Sequence, residues 1–227
     1  MDEIIAEIKR VYFEEFSGFL APPVIIISVL YVLCIVVWDP ELGVWKVLLS
    51  YNVFSLLDIA ETPIKNVLIR DIVISLIGAF LTDQFYSFIK SRWFNLISKG
   101  IGLEERINFH IKKADQVKSD NEAVNLFLVK GLQKRIEEKE KHISRNHTLG
   151  RFFMACLWVS FVSFVYVFLI SVYRGSLIIC YFDLFFCFIS LVAILYVQEK
   201  STKFFLRKLM PLVIMERALL GKDYEAG

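Results

Sequence analysis

The stretch Phe152–Tyr173, FFMACLWVSFVSFVYVFLISVY, decides how this chain is read: 22 residues without a charge. A helix needs about 20 apolar residues to cross a hydrocarbon core about 30 Å thick. After a tight turn at Arg174-Gly175, Ser176–Val197 repeats the pattern over 22 residues with one carboxylate, Asp183. Val67–Ile89 supplies a third run, of 23 residues. Val24–Trp38 supplies a fourth, which reaches spanning length if it begins near Phe19. Pro22 and Pro23 then fall in its opening turn, where a missing N–H costs least. The hydrophobic fraction is 56%, against about 45–50% in a soluble domain. An all-α polytopic membrane protein with four transmembrane helices is expected.

The distribution of cations orients the spans. Lys90–Arg151 holds 14 Lys and Arg, and the tail after Gln198 holds six. Asp39–Asn66 has only Lys46 and Lys65, and the hairpin between spans three and four has only Arg174. Cytoplasmic segments carry the Lys/Arg excess, so both termini are expected inside. The acidic start (Asp2, Glu3, Glu7) lacks the features of a cleavable signal.

The chain divides into 1–98 (an amphipathic helix at Asp2–Phe16, then spans one and two), a cytoplasmic helical segment at 99–150, a transmembrane hairpin at 151–198, and a cytoplasmic amphipathic tail at 199–227. Within the first part, residues 44–60 are apolar but interrupted by Lys46, Ser50, Asn52, Ser55 and Asp58. This stretch reads as an interfacial or re-entrant segment, or as a fifth span, which would move the N-terminus outside. The first two readings fit the charge pattern better. Gly100 and Gly102 end the extension of span two, and helical pattern resumes at Leu103. A second helix is expected near Ser119-Asp120-Asn121-Glu122, whose Ser-x-x-Glu spacing fits a capping box. Two helices of this size bury little core alone, so they are expected to pack on each other or on neighbouring copies, which argues for a homo-oligomer. The tail Lys203–Leu220, broken by Pro211, reads as an interfacial helix with its cations at headgroups.

Polar residues inside spans are costly and draw attention to function. Asp71, Ser75, Gly78 and Thr82 follow at four, three and four residues, and so share one helix face. Turned inward in an oligomer, this face would line a pore with an acidic ring at Asp71, selecting cations. Close helix packing is the simpler reading of the same spacing. Asp183 needs a partner or a proton. Arg70 is the expected partner, with Arg174 second; the pair would lock two helices or break on gating. Lys112, Lys113, Lys130, Lys134, Lys141 and Arg145 form a basic face on the cytoplasmic helices. It suits an anionic nucleotide, nucleic acid or protein partner, though a solvated face near anionic lipid has the same composition.

Other chemistry is excluded or weak. Cys34, Cys156, Cys180 and Cys187 all fall within spans and read as small apolar packers, and His110, His142 and His147 have no zinc-ligand context. No metal or cofactor is expected. The sequon Asn146-His147-Thr148 lies on the expected cytoplasmic side. Trp38, Trp45, Trp93 and Trp158 read as membrane-border anchors. No HExxH or Gly-x-Ser-x-Gly occurs, and Asp71, Asp83 and Asp183 lack a motif that pairs them, so no enzyme is expected.

In layout, the chain resembles small multi-span bacterial membrane proteins of anti-phage defence systems. The resemblance rests on the four spans, the basic helices between Leu103 and Arg145, and the hairpin at Arg174-Gly175. It implies a homo-oligomer, with a tetramer favoured, that conducts ions or senses envelope damage with a cytoplasmic partner. It carries over no functional residue. The expected function is an oligomeric membrane effector forming or gating an ion path, regulated through its basic helices. The alternative is a non-conducting scaffold or sensor that recruits a soluble protein.

Overall fold

The computed structural model describes residues 12, 22–37, 42–50, 67–175 and 180–220. Every element among them is helical: α1 (Pro22–Val37), α2 (Val44–Ser50), α3 (Ile69–Gly100), α4 (Leu103–Val117), α5 (Glu122–Tyr173), α6 (Tyr181–Phe204), a π-helical turn (Phe205–Leu209) and α7 (Met210–Leu219). Three helical stretches are long and apolar enough to cross a membrane: Ile69–Gly100, Glu122–Tyr173 and Tyr181–Leu219. Only 28–33% of their most apolar windows is buried, so most of that surface faces outward, as lipid contact requires. Helix α1 has 16 described residues, about 24 Å at 1.5 Å per residue. The ends that would complete the expected first span lie outside the described residues, as do the expected helix at Asp2–Phe16 apart from Tyr12, and most of 44–60 beyond α2.

Two compact units divide the described residues. One draws on Met1–Ser17, Phe88–His147 and Val197–Gly227, the other on Gly18–Ser87 and Thr148–Tyr196.

The first, cation-rich unit contains a core of water-soluble type. Leu103, Ile107 and Ala114 recur along one side of α4, and Val129, Leu132, Ile136 and Ile143 along one side of α5; all are buried. Phe205, Leu206, Leu209, Met210, Val213 and Ile214 cluster with Leu103, Ile107, Ile136 and Ile143, and with Phe94 and Tyr12, while Val129 and Leu132 pack on Leu219. Burying a large aliphatic or aromatic side chain is worth about 1.5–3 kcal/mol, so this packing fixes where the tail goes. The apolar face of the tail is therefore turned into protein, as the third wall of this core. The burial argument for an oligomer falls, because the missing partner of α4 and α5 is supplied by the same chain. Pro211 sits in the first turn of α7. The wide turn before it, closed by Met210 N–H to the Phe205 carbonyl, makes room where proline removes an α-helical bond.

Local signals at the α4 and α5 ends are partly as expected. Gly102 adopts φ 66°, the left-handed break between α3 and α4. The α5 cap, however, is Asn121 rather than Ser119. Asn121 Oδ1 accepts from Ala123 N–H at 3.0 Å, while Ser119 Oγ accepts from Asn121 N–H at 3.2 Å. Asn125 braces the turn, donating to the Ser119 carbonyl (2.7 Å) and accepting from its N–H (3.0 Å).

In the apolar unit, Val24 and Ile27 of α1 pack on Ala79 of α3 and Ala155 of α5. Small residues at these positions let helices approach where no hydrophobic driving force separates lipid from protein. All four cysteines are free; three are buried and Cys187 is half-buried.

Candidate functional site

The face of α3 expected to line a pore is turned against α1 in the apolar unit. Tyr31 reaches across to Thr82, their hydroxyls 2.6 Å apart, and Thr82 Oγ1 donates to the Gly78 carbonyl at 2.8 Å. A Cβ on Gly78 would lie 3.2 Å from the Tyr31 ring, so glycine admits the aromatic side chain here. Ser75, Gly78 and Thr82 thus border a cavity of about 530 Å³ within one protomer, together with Tyr31, Val44, Phe85, Trp158 and Ser163. Its walls are otherwise apolar. Ser75 is 1% exposed, and its Oγ has no hydrogen-bond partner.

Asp71 belongs to a different structure. Its Oδ2 accepts from Leu68 N–H at 3.0 Å and its Oδ1 from Arg70 Nε at 3.3 Å. Leu68 is the residue before α3 and Asp71 the third within it, so the carboxylate satisfies the orphan N–H at the helix start and sits at the favourable end of the dipole. Asp71 thus caps the start of α3.

The expected Arg70–Asp183 ion pair is not formed. Arg70 is engaged by Asp71, with its side chain 75% exposed. Asp183 is fully buried, and among the described residues no cation pairs with it. Its carboxylate instead accepts from Ser163 Oγ at 2.5 Å and from Trp45 N–H at 3.4 Å. Ser163 Oγ in turn accepts from Val44 N–H at 3.2 Å. Trp45 Nε1 donates to Ser160 Oγ at 2.7 Å, and its ring stacks on Phe186 with centroids 4.5 Å apart. Trp45 is therefore a buried anchor of α2. Asp183, Ser160 and Ser163 together hold the first turn of α2, whose N–H groups have no partner within their own helix.

The buried ion pair of this unit joins two other residues. Arg151 Nε lies 2.6 Å from Asp83 Oδ1, and both side chains are 5% exposed. The guanidinium also lies over the Tyr86 ring at 5.7 Å. Tyr86 fits because Gly150 has no side chain: a Cβ there would lie 2.8 Å from its ring carbons.

In the cation-rich unit, Lys112, Lys113, Lys130, Lys134, Lys141 and Arg145 are all exposed, and among the described residues none forms an ion pair. Lys139, which sequence reading left out, places Nζ 5.5 Å from the Phe204 ring. The described residues contain no group of three His, Cys, Asp or Glu able to hold a metal.

No family model matches the chain, and neither a curated protein nor a solved structure does. The site is therefore read from its own chemistry. What sequence reasoning missed is pairwise: Tyr31 for Thr82, Arg151 for Asp83, Ser163 for Asp183. Asp83 and Arg151 were each visible as a charge at the edge of an apolar run, the only hint of their meeting. Nothing in the sequence marked Tyr31, and Trp45 stood out only as one of four tryptophans at expected membrane borders.

Proposed function

We propose that this protein is a membrane-embedded scaffold or sensor that recruits a soluble, acidic protein partner through its basic helices. The observation that supports this is the set of six exposed cations, Lys112, Lys113, Lys130, Lys134, Lys141 and Arg145, without ion-pair partners among the described residues. Exposed charges of one sign steer an oppositely charged partner and set its on-rate. Helix α5 is uninterrupted from Glu122 to Tyr173. It carries Lys130, Lys134, Lys141 and Arg145 within the cation-rich unit. In this reading α1 completes a fourth span, both termini are cytoplasmic, and the setting is a bacterial inner membrane in anti-phage defence. Tetramer formation would bring four basic faces together.

An ion-conducting oligomer lined by α3 draws less support. Ser75, Gly78 and Thr82 border a cavity within one protomer, and Asp71 caps a helix.

The test is a paired measurement. Proteoliposomes of purified protein should pass no ions. The wild type should retain a soluble partner from its own host's cytosol in a salt-sensitive manner, and Lys130→Glu/Lys134→Glu should lose it while remaining folded. Ion flux abolished by Thr82→Leu would overturn the scaffold reading in favour of a channel. The mass of the detergent-solubilised particle decides the tetramer.

A further inference from the structure

The cavity beside α3 has the properties of a ligand site. Its volume of about 530 Å³ falls within the roughly 300–1,000 Å³ of small-molecule pockets. It is far above the roughly 150 Å³ at which an apolar cavity already takes up benzene. Along α3 it runs from Ile74 to Phe85, eleven residues or roughly 16 Å at 1.5 Å each. A space this long suits an extended chain better than a compact ring system.

The polar groups on its wall differ in one respect. Thr82 and Tyr31 are bonded to each other, and Ser163 is bonded to Asp183 and to Val44 N–H. Ser75 alone among these hydroxyls is left unbonded, at 1% exposure. A serine in a helix commonly bonds back to the carbonyl four residues earlier, as Ser28 and Ser160 do here. A buried donor left unmade costs about 1–3 kcal/mol, so an acceptor in the cavity would be held specifically.

We propose that this cavity binds a single lipid acyl chain whose carbonyl oxygen accepts a hydrogen bond from Ser75. The apolar wall between Ile74 and Phe85 receives the methylenes, and Ser75 sets the depth of the head. Ser75 is six residues from the start of α3, roughly 9 Å along the helix, so the head lies toward the α3 N-terminus and the chain runs toward Phe85. Asp71, one turn before Ser75, disfavours an ionised carboxylate there, so a neutral acyl ester is preferred to a free fatty acid.

The experiment uses the full chain in detergent with two photo-reactive probes carrying the same diazirine-bearing palmitoyl chain, one as phosphatidylcholine and one as free palmitate. Saturable labelling of peptides containing Ile74–Phe85 or Trp158–Ser163, competed by unlabelled phosphatidylcholine, is expected. Ser75→Ala preserves the shape of the cavity and should weaken competition about tenfold, the loss of one hydrogen bond. Ile74→Trp and Val162→Trp should abolish it by filling the space. Labelling that does not saturate, or falls equally on outward-facing Phe185 and Phe188, would overturn the site. Unchanged affinity in Ser75→Ala would overturn the role of the hydroxyl, and stronger labelling by palmitate would overturn the preference for an ester.

Discussion

Asp83 Oδ1 and Arg151 Nε meet at 2.6 Å with 5% of either side chain exposed, and so join α3 to α5 in the apolar unit. Two buried charges are tolerable only as a pair. Removing one leaves the other uncompensated, at a cost of about 3–5 kcal/mol, whereas replacing both by apolar residues is often neutral. Arg151→Ala and Asp83→Ala should each lower the unfolding midpoint in detergent by an amount in that range. The double variant Asp83→Leu/Arg151→Leu should recover most of it. A double variant as unstable as the sum of the singles would show that the two charges act independently.

Gly43 holds φ at +76°, and a Cβ on it would lie 2.6 Å from both Asp183 Oδ2 and Cys180 Sγ. The left-handed conformation alone disfavours other residues by roughly 1–2 kcal/mol. Here the steric conflict adds to it, because Asp183 is fixed by Ser163 and Trp45. Gly43→Ala should release the start of α2. Cys180, whose thiol donates to the Leu42 carbonyl at 3.5 Å, then becomes reactive. Maleimide labelling of Cys180 should rise well above the wild-type rate, with Cys34, Cys156 and Cys187 replaced by serine or alanine to isolate the signal. An unchanged rate would mean that the turn tolerates a side chain.

Periodicity made faces legible but not their partners. The spacing of Ser75, Gly78 and Thr82 placed them on one side of a helix, and they do share a cavity wall. Whether that wall met a pore or Tyr31 depended on a residue 51 positions from Thr82, which no local pattern encodes. The tail failed for another reason. Alternating apolar and basic residues at helical spacing describe an interfacial helix and a core-packing helix equally well. Phe205, Leu209 and Val213 were therefore read against lipid when they close a protein core. Gly102 was legible because a left-handed break is a local requirement. The capping role of Asp71 was not legible, because a helix start inside an apolar run carries no apolar-to-polar boundary to mark it.

Partial burial, together with Lys113 and Arg106 nearby, lowers the pKa of His110 in the cation-rich unit below its ordinary 6.5. Above that value the imidazole is neutral in both folded and unfolded chains and contributes nothing to the pH dependence. As pH falls below 6.5 the unfolded chain takes up the proton first, so stability is lost until the folded pKa is passed. Because the ring is only half-buried, the effect is modest, a few tenths of a kcal/mol. His110→Gln should match the wild type at pH 7.5 and exceed it slightly at pH 5.5 in thermal unfolding. A variant less stable at pH 5.5 would reverse the sign and place a carboxylate, not cations, in control of this histidine.

Gln198 presents the sharpest anomaly of the cation-rich unit. It is fully buried, and neither Oε1 nor Nε2 has a hydrogen-bond partner. Ser201, three residues on and equally buried, has an unbonded Oγ as well. A buried polar group left unmade costs about 1–3 kcal/mol, while an apolar group of the same shape there is neutral or stabilising. Gln198→Met keeps the length and comes close in volume, so it should leave the stability unchanged or raise it by up to that amount. The same substitution at Gln84, which is exposed on α3, should have almost no effect and serves as the control. A fall of more than about 1 kcal/mol at Gln198 would show that its amide is hydrogen-bonded in solution, as to a buried water.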